Sequence, residues 1–188
     1  PAGATTPAVV MKPSTAPDTT GRWGDYSAVV GDPSFDGVFW AGHEFRTSNW
    51  APWIGTFGPC VAPGSYCTAK VTSQGLVPMI AASGQPSLGQ NAFQLVMTNG
   101  IPNATVLYFH GAAPANVPWF NGTLCVQPPI VRGPPTSFDP SGTISSPFPI
   151  DVSLVGTERY FQYWFRDTQQ LDGTGVGSSD GLHVTFCP

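Results

Sequence analysis

The sequence predicts an all-β protein whose main unit is an antiparallel β-sandwich, immunoglobulin-like or jelly-roll-like. Gly and Pro contribute 22 and 21 of the 188 residues, so they recur too often to leave long helical windows. Aromatic residues make up 12% of the chain, which excludes disorder throughout because these rings need burial. Short alternating segments separated by turn signals are the third observation, and they are typical of antiparallel sheets.

Residues 1–20 are rich in Pro, Ala and Thr, a composition typical of an extended segment that does not fold by itself. They contain Val9, Val10 and Met11, a short apolar run suited to pairing with the edge of a sheet. We expect either an assembly arm that docks through these residues, on its own chain or on a neighbour, or a loose leader.

Residues 21–58 predict an aromatic β-meander, with strands at 22–30, 38–41 and 50–57 and turns between them. A single hairpin is not stable alone in water. We therefore expect the meander to dock on the unit that follows it.

Residues 59–188 form the predicted sandwich of about seven to nine strands. Six alternating segments are separated by pairs such as Asn99-Gly100 and Asp172-Gly173, which favour turns. The six segments are 93–98, 105–110, 123–126, 150–154, 160–166 and 182–187.

Four cysteines predict two disulfides and an oxidising compartment. None of them is spaced as C-x-x-C and only three His are present, which argues against zinc. Three pairings are possible, with four buried thiols as the alternative. We favour Cys60–Cys67, because Pro59 and the turn at 62–65 bring them together, and this leaves Cys125–Cys187.

The low content of charged residues argues against some classes of function. Charged residues make up only 10% of the chain, against about 25% in an average domain. Seven Lys and Arg against eleven Asp and Glu argue against a nucleic-acid partner. No apolar run approaches the roughly 20 residues of a transmembrane helix. We expect a secreted or cell-surface protein in which Pro1 follows a removed signal peptide or an internal cut, with glycosylation sequons at Asn103 and Asn121.

Two stretches resemble known proteins. Residues 22–27 (RWGDYS), followed by Asp32-Pro33 and Phe39-Trp40, resemble a signature of large secreted bacterial proteins that closes a run of β-propeller-like repeats. Residues 34–40 resemble the Asp-box turn of sialidase-type propellers, with Phe39 where that pattern has Thr. Residues 80–188, chiefly 122–126, 161–167 and 179–188, resemble a C-terminal module of extracellular planctomycete-like proteins. The resemblance implies location and architecture more than activity.

No catalytic site is predicted. A glycosidase needs two carboxylates about 5–10 Å apart, and four acids lie close in sequence. Two of them, in Asp32-Pro33 and Asp36-Gly37, are ordinary turn residues whose side chains cap local backbone. A sialidase also needs an arginine cluster, and only Arg22 and Arg46 are near. The four acids are Asp25, Asp32, Asp36 and Glu44.

No cofactor is expected, although a weak Ca²⁺ site is conceivable. Asp167, Asp172 and Asp180 flank the glycine-rich loop at 173–177, and carboxylates with backbone carbonyls are the ligands that Ca²⁺ takes. Their spacing fits no fixed motif. Solvated turn residues are therefore the favoured interpretation.

Three tryptophans are candidate binding residues. Trp50 and Trp53 lie in a polar, Pro-containing stretch, and Trp119 lies between Pro118 and Phe120. Exposed flat rings stack on sugars or fill pockets on protein partners. The alternative is that these rings cover the seam between the meander and the sandwich.

We predict a non-catalytic extracellular module for surface assembly or adhesion, such as a subunit of a layer, sheath or filament. The weak charge leaves little repulsion between copies, so self-association or other surface proteins are the expected partners. A carbohydrate-binding module that uses the exposed Trp residues on polysaccharide is the first alternative. A fragment of a secreted sialidase-like propeller hydrolase is the second.

Overall fold

The computed structural model describes residues 12–17, 19, 27–31, 33, 39–58, 60–90 and 92–187. It contains two compact units, Pro1–Pro59 and Cys60–Pro188, called here the first and second units. The described residues are mainly strands, with one short 3₁₀-helix at Val152–Leu154. The all-β prediction is confirmed.

The first unit contains a three-stranded antiparallel sheet in the order β1-β2-β3. A three-residue turn joins the second strand to the third, as the sequence predicts for a meander. The strands are β1 (Ala28–Gly31), β2 (Phe39–Arg46) and β3 (Trp50–Phe57).

Part of the N-terminal arm contacts the end of β2. The Thr15 amide donates to the Arg46 carbonyl at 2.8 Å, and the Arg46 amide donates to Ser14 Oγ at 3.0 Å. The Lys12 ammonium lies 5.2 Å from the centre of the Phe45 ring. The arm therefore packs on its own unit through residues 12–16. The predicted docking residues Val9, Val10 and Met11 lie outside the described residues.

The second unit contains a large sheet in the order β10-β7-β13-β14-β4, with β11 also paired to β7. A smaller sheet has the order β12-β6-β5, and β8 pairs with β9 as a separate hairpin. The strands are β4 (Gly64–Tyr66), β5 (Met79–Ser83), β6 (Gln94–Thr98), β7 (Thr105–Gly111), β8 (Pro114–Trp119), β9 (Gly122–Val126), β10 (Val131–Arg132), β11 (Thr136–Ser137), β12 (Ile144–Pro147), β13 (Glu158–Arg166) and β14 (Val176–Thr185).

The described part of the second unit therefore has eleven strands, more than the seven to nine predicted. Two of them, β10 and β11, are two-residue bridges on β7. Their lengths are below what an alternating pattern reveals, which is why the sequence did not indicate them.

The two sheets pack face to face around an aromatic core. Phe161, Tyr163 and Phe165 alternate along β13 toward this core and are fully buried, as are Leu95 and Met97 on β6. The Tyr163 hydroxyl donates to the Leu95 carbonyl at 3.1 Å and links the two sheets. Each such side chain contributes about 1.5–3 kcal/mol by burial. The predicted β-sandwich is confirmed.

All four cysteines form disulfides, as predicted, but the favoured pairing is wrong: the bonds are Cys60–Cys187 and Cys67–Cys125. The predicted turn at 62–65 is partly strand, because β4 pairs with β14 with Gly64 opposite His183. Continuing that antiparallel register backward from Gly64 places Cys60 opposite Cys187, and their Cα atoms lie 5.5 Å apart.

Candidate functional site

Two of the three predicted binding tryptophans lie together in the first unit. Trp50 and Trp53 line an open concavity of about 470 Å³ with Glu44 and Ile54. Trp50 is 55% exposed, whereas the Trp53 ring lies across Gly55, where an added Cβ would meet it at 1.9 Å. The third, Trp119, belongs to a groove in the second unit.

The acids that the sequence offered for catalysis are mostly beyond the described residues. Asp25, Asp32 and Asp36 lie outside them, as does Arg22. Glu44 is buried on β2, opposite Pro52 in the pairing with β3. No carboxylate pair is described around it.

The three aspartates of the conceivable Ca²⁺ site do not come together. Asp167 is buried and accepts the Ser73 amide at 2.8 Å, and Asp180 accepts the Ile80 amide at 2.8 Å. Asp172 pairs with Lys70. Asp180 lies on the same side of β14 as the core residues Leu182 and Val184, as alternation along the strand requires, and therefore faces the small sheet. Within the described ranges, no three potential ligands form a metal-binding group.

These separate environments also move the carboxyl pKa values in opposite directions. Burial raises the pKa of Asp180 above its ordinary value. The Lys70 ammonium, bonded to Asp172, holds the pKa of that carboxyl well below its usual range, and Thr174 adds hydrogen bonds in the same direction. Each aspartate therefore has a local structural partner.

The main candidate binding site in the second unit lies on the face of the large sheet that points away from the core. Side chains alternate along a strand, so Gln162, Trp164 and Arg166 lie on the side of β13 opposite Phe161. Cross-strand partners share a face. Leu107 on β7 is opposite Trp164, and Phe109 is opposite both Gln162 on β13 and Arg132 on β10.

These side chains form the floor of a groove of about 300 Å³, the aromatic groove. Its lining residues are Leu107, Phe109, Trp119, Phe120, Ile130, Arg132 and Trp164.

The tip of the β8–β9 hairpin forms the wall of the aromatic groove. The Trp119 ring meets Phe109 edge-on at 5.9 Å between ring centres, and Phe120 meets Trp119 at 5.1 Å. Trp119 and Trp164 are half-buried, whereas Phe120 is 52% exposed. Ring faces and edges are therefore available to a ligand.

The two turn residues of this hairpin, Phe120 and Asn121, both have left-handed backbone conformations, with φ of 47° and 56°. Such a two-residue turn is common, but a bulky residue at positive φ is unusual and costs energy. Strain of this kind persists only where the surrounding structure enforces it, and it clusters at functional sites.

Lys70 enforces this turn. Its ammonium donates to the Phe120 carbonyl and to Thr174 Oγ1, each at 2.7 Å, and pairs with Asp172 at 2.5 Å. Gly122 lies against the Lys70 side chain, where an added Cβ would be 3.0 Å from Lys70 Cβ. One buried lysine thus joins the hairpin tip to the loop between β13 and β14.

The base of the hairpin is fastened to the same sheet. Gln162 Oε1 accepts the Cys125 amide at 2.9 Å, and its Nε2 donates at 2.8 Å to the Thr123 and Ser179 carbonyls. The Tyr66 hydroxyl donates to the Cys125 carbonyl at 2.5 Å, and Cys125 is bonded to Cys67. The aromatic groove is therefore formed before any ligand arrives.

Of the residues in this groove, the sequence pointed only to Trp119 as a binding residue. A signal for Trp164 existed, because residues 160–166 alternate and Trp164 falls on the side opposite Phe161 and Phe165. Nothing in the sequence indicated that Arg132 or the hairpin tip would join it. That depends on the pairing of β10 with β7, a contact between distant segments.

The two sequons both lie at exposed turns of left-handed backbone. Asn103 has φ of 59° and lies just before β7, and Asn121 forms the hairpin tip. Both side chains are exposed, as glycosylation requires.

Comparisons of the chain with family models, with curated proteins and with solved structures find no match. In the part of the chain that the structure describes, no helix has the length and apolarity to cross a bilayer.

Proposed function

We propose that the chain is a non-catalytic extracellular adhesion module that binds carbohydrate in the aromatic groove of its second unit. The observation that carries the proposal is the groove itself, in which Trp119, Phe120 and Trp164 offer partly exposed rings beside an arginine. Aromatic rings give a flat apolar surface with little loss of side-chain freedom, which suits the apolar face of a sugar ring.

Two features support this role. The volume of about 300 Å³ is at the lower end of the usual range for ligand sites, which fits one or two sugar units. The walls are held by a disulfide, a buried lysine and a buried glutamine. A preformed site loses less free energy in ordering when it binds.

The lining also supports a binding role over a catalytic one. The described residues that line the aromatic groove offer no carboxylate, imidazole, thiol or hydroxyl group. Hydrolysis of a glycosidic bond needs a general acid and a second carboxylate. A ligand held there would meet rings and a guanidinium, neither of which performs that chemistry.

The test is affinity electrophoresis of the full chain through gels that contain single polysaccharides, both neutral and acidic. We expect retardation in at least one gel, and loss of that retardation in Trp164→Ala and Phe120→Ala. Trp50→Ala, in the first unit, is the matched control and should keep it. Unaltered migration in every gel, or equal loss in the control, would contradict the proposal. Circular dichroism of each variant checks that the sheets remain.

A second candidate, self-association, is favoured by the surface of the first unit. Val29 and Val30 on the short strand β1 are 60% and 59% exposed, and Ile54 on β3 is 69% exposed. Apolar side chains concentrated in this way are typical of protein contacts. We propose a second copy of the chain as the occupant.

Sedimentation velocity tests this candidate. The wild-type chain should form concentration-dependent oligomers, and Ile54→Lys should be monomeric at the same concentrations. Val152→Lys, at an exposed apolar residue of the second unit, is the control and should assemble like the wild type. A wild-type chain that stays monomeric at high concentration would refute self-association.

A further inference from the structure

We propose that the aromatic groove selects acidic sugars, and that Arg132, which lines it, binds the carboxylate of a uronic acid residue while the rings bind its pyranose. Arg166 lies behind the Trp164 ring and adds a second positive charge next to the groove. This inference rests on the proposed carbohydrate function and adds the substrate class.

The distribution of charge is the first argument. Residues 60–188 contain only four Lys and Arg, at 70, 132, 159 and 166, against six Asp and Glu. Lys70 is bound to Asp172, whereas Arg132 and Arg166 have no ion pair among the described residues. In a unit that is acidic overall, Arg132 lines the aromatic groove and Arg166 lies just outside it, against the Trp164 ring.

The strand register brings the two arginines to the same face. Arg132 is opposite Phe109 on β7, and Phe109 is opposite Gln162 on β13. Arg166 lies two residues beyond Trp164 on the same side of β13, and its guanidinium carbon is 5.3 Å from the centre of the Trp164 ring. The Trp164 ring therefore has a cation on one side and the groove on the other.

The acids of this region are engaged elsewhere. Asp167 follows Arg166 but points to the opposite side of the strand, where it is buried on the Ser73 amide. Asp172 is bonded to Lys70 and Thr174. None of the described residues that line the aromatic groove carries a carboxylate, so an anion entering it meets the Arg132 guanidinium without competition from them.

The chemistry of the two groups indicates the ligand class. A guanidinium forms paired, charge-assisted hydrogen bonds with a carboxylate in a fixed planar geometry. Two arginines on a unit with a net negative charge suit a polymer with one charge per sugar or per disaccharide. A nucleic-acid duplex or a heavily sulfated chain carries a denser charge, which a unit with a net negative charge repels more strongly.

The experiment compares each acidic polymer with its own carboxyl-reduced form, so that only the charge differs. Polygalacturonate, alginate and hyaluronan are immobilised, and binding of the full chain is measured by biolayer interferometry at low and high salt. We expect at least one native polymer to bind tenfold or more tightly than its reduced form, because a hydrogen bond to a charged group contributes about 1.5–3 kcal/mol. The difference should shrink at high salt.

Variants assign the effect to the groove. Arg132→Gln should lower affinity for the native polymer about tenfold, Arg166→Gln should lower it by less because Arg166 lies outside the groove, and both should leave binding to the reduced form unchanged. Arg159→Gln, at the far end of the same strand, is the matched control and should bind like the wild type.

The outcomes separate the two proposals. Equal binding of native and reduced polymers, or binding only to neutral glycans, overturns the acidic specificity and leaves the carbohydrate function standing. Tighter binding to heparin or to single-stranded oligothymidylate than to every uronate also overturns it. An absence of binding to all glycans overturns both proposals.

Discussion

At the scale of single residues, the Gln162 side chain is a buried polar group of the second unit whose hydrogen bonds are made on both sides of its amide. It is fully buried, and both atoms of its amide are used, in hydrogen bonds to Cys125, Thr123 and Ser179. A buried amide in a strand is costly unless it is satisfied. Its sequence neighbours are aromatic, so the alternating pattern showed only that residue 162 faces away from the core. Two of its partners, Cys125 and Thr123, come from a hairpin some forty residues earlier, and the third, Ser179, lies on β14.

Replacing Gln162 by Leu should therefore destabilise the fold, although leucine suits a buried strand position. The change leaves the Cys125 amide and two carbonyls without partners, and we expect a loss of about 2–4 kcal/mol in the free energy of unfolding. Urea unfolding followed by tryptophan fluorescence measures it. Gln169→Leu, at an exposed loop position, is the control and should change stability by less than about 0.5 kcal/mol. Equal stability of the two variants would contradict the prediction.

The half-buried residue His110 makes stability depend on pH. Its ring lies 5.3 Å from Phe148 and 5.4 Å from Phe161, and its Nδ1 has no hydrogen-bond partner among the described residues. Burial, with Arg159 as a second cause, lowers the pKa of His110 below its ordinary value of 6.5. The unfolded chain therefore binds this proton at a higher pH than the folded chain does.

It follows that the contribution of His110 to stability is complete above about pH 6.5 and decreases as the pH falls through that value toward the lowered pKa of the folded state. Urea unfolding at pH values from 8 to 5 should show this decrease in the wild type. In His110→Leu the free energy of unfolding should depend less on pH over that interval. His183→Gln, on the neighbouring strand β14, should show the same pH dependence as the wild type. An unchanged slope in His110→Leu would assign the acid sensitivity to other groups.

At the scale of elements, the sequence specified the strands better than their pairing. Alternation and turn residues indicated β6, β7, β9, β13 and β14, because those signals are local. The sixth predicted segment, 150–154, is wrong: it contains the 3₁₀-helix Val152–Leu154, which Asp151 caps by accepting the Ser153 amide. The pairing of β4 with β14 joins segments more than a hundred residues apart, and no local pattern encodes it. The disulfide prediction failed for that reason. That prediction assumed that the short segment between Cys60 and Cys67 forms a closed turn. The segment instead includes strand β4.

The two disulfides should differ in their effects on binding. Cys67–Cys125 fastens the hairpin that forms the wall of the aromatic groove, and Cys60–Cys187 closes the ends of the second unit. Replacing either pair by Ser should lower stability by about 2–4 kcal/mol, since each bond closes a long loop. Only the Cys67→Ser/Cys125→Ser pair should also weaken glycan binding, because only that bond holds the hairpin.

Peptide mapping without reduction establishes the pairing before those variants are made. Proteolysis should release fragments that link residue 60 to 187 and residue 67 to 125. A fragment that links Cys60 to Cys67 would show that the register of β4 with β14 is wrong. Equal loss of glycan binding in both pairs of serine variants would show that the hairpin is held without its disulfide.

At the scale of the whole molecule, the fold class followed from composition, whereas the groove did not. Frequent Gly and Pro exclude long helices, and the many aromatic rings need a core in which to be buried. Packed β-sheets are the architecture that meets both conditions. The groove needed three distant segments to meet on the outer face of one sheet: β7 with β10, β13, and the hairpin tip. Such a site follows from topology, and topology depends on contacts that a single sequence does not display.

The division into two units gives the last prediction. The second unit contains both disulfides, the aromatic core and every residue of the aromatic groove. A unit with its own core and covalent links is expected to fold by itself. A chain of residues 60–188 should therefore unfold in one cooperative transition, with a midpoint within a few degrees of the corresponding transition of the full chain, and should bind the same glycan. Scanning calorimetry and affinity electrophoresis measure the two properties. A 60–188 chain that is folded but does not bind would show that the first unit contributes to the site, and one that does not fold would show that the division seen in the structure is not an energetic one.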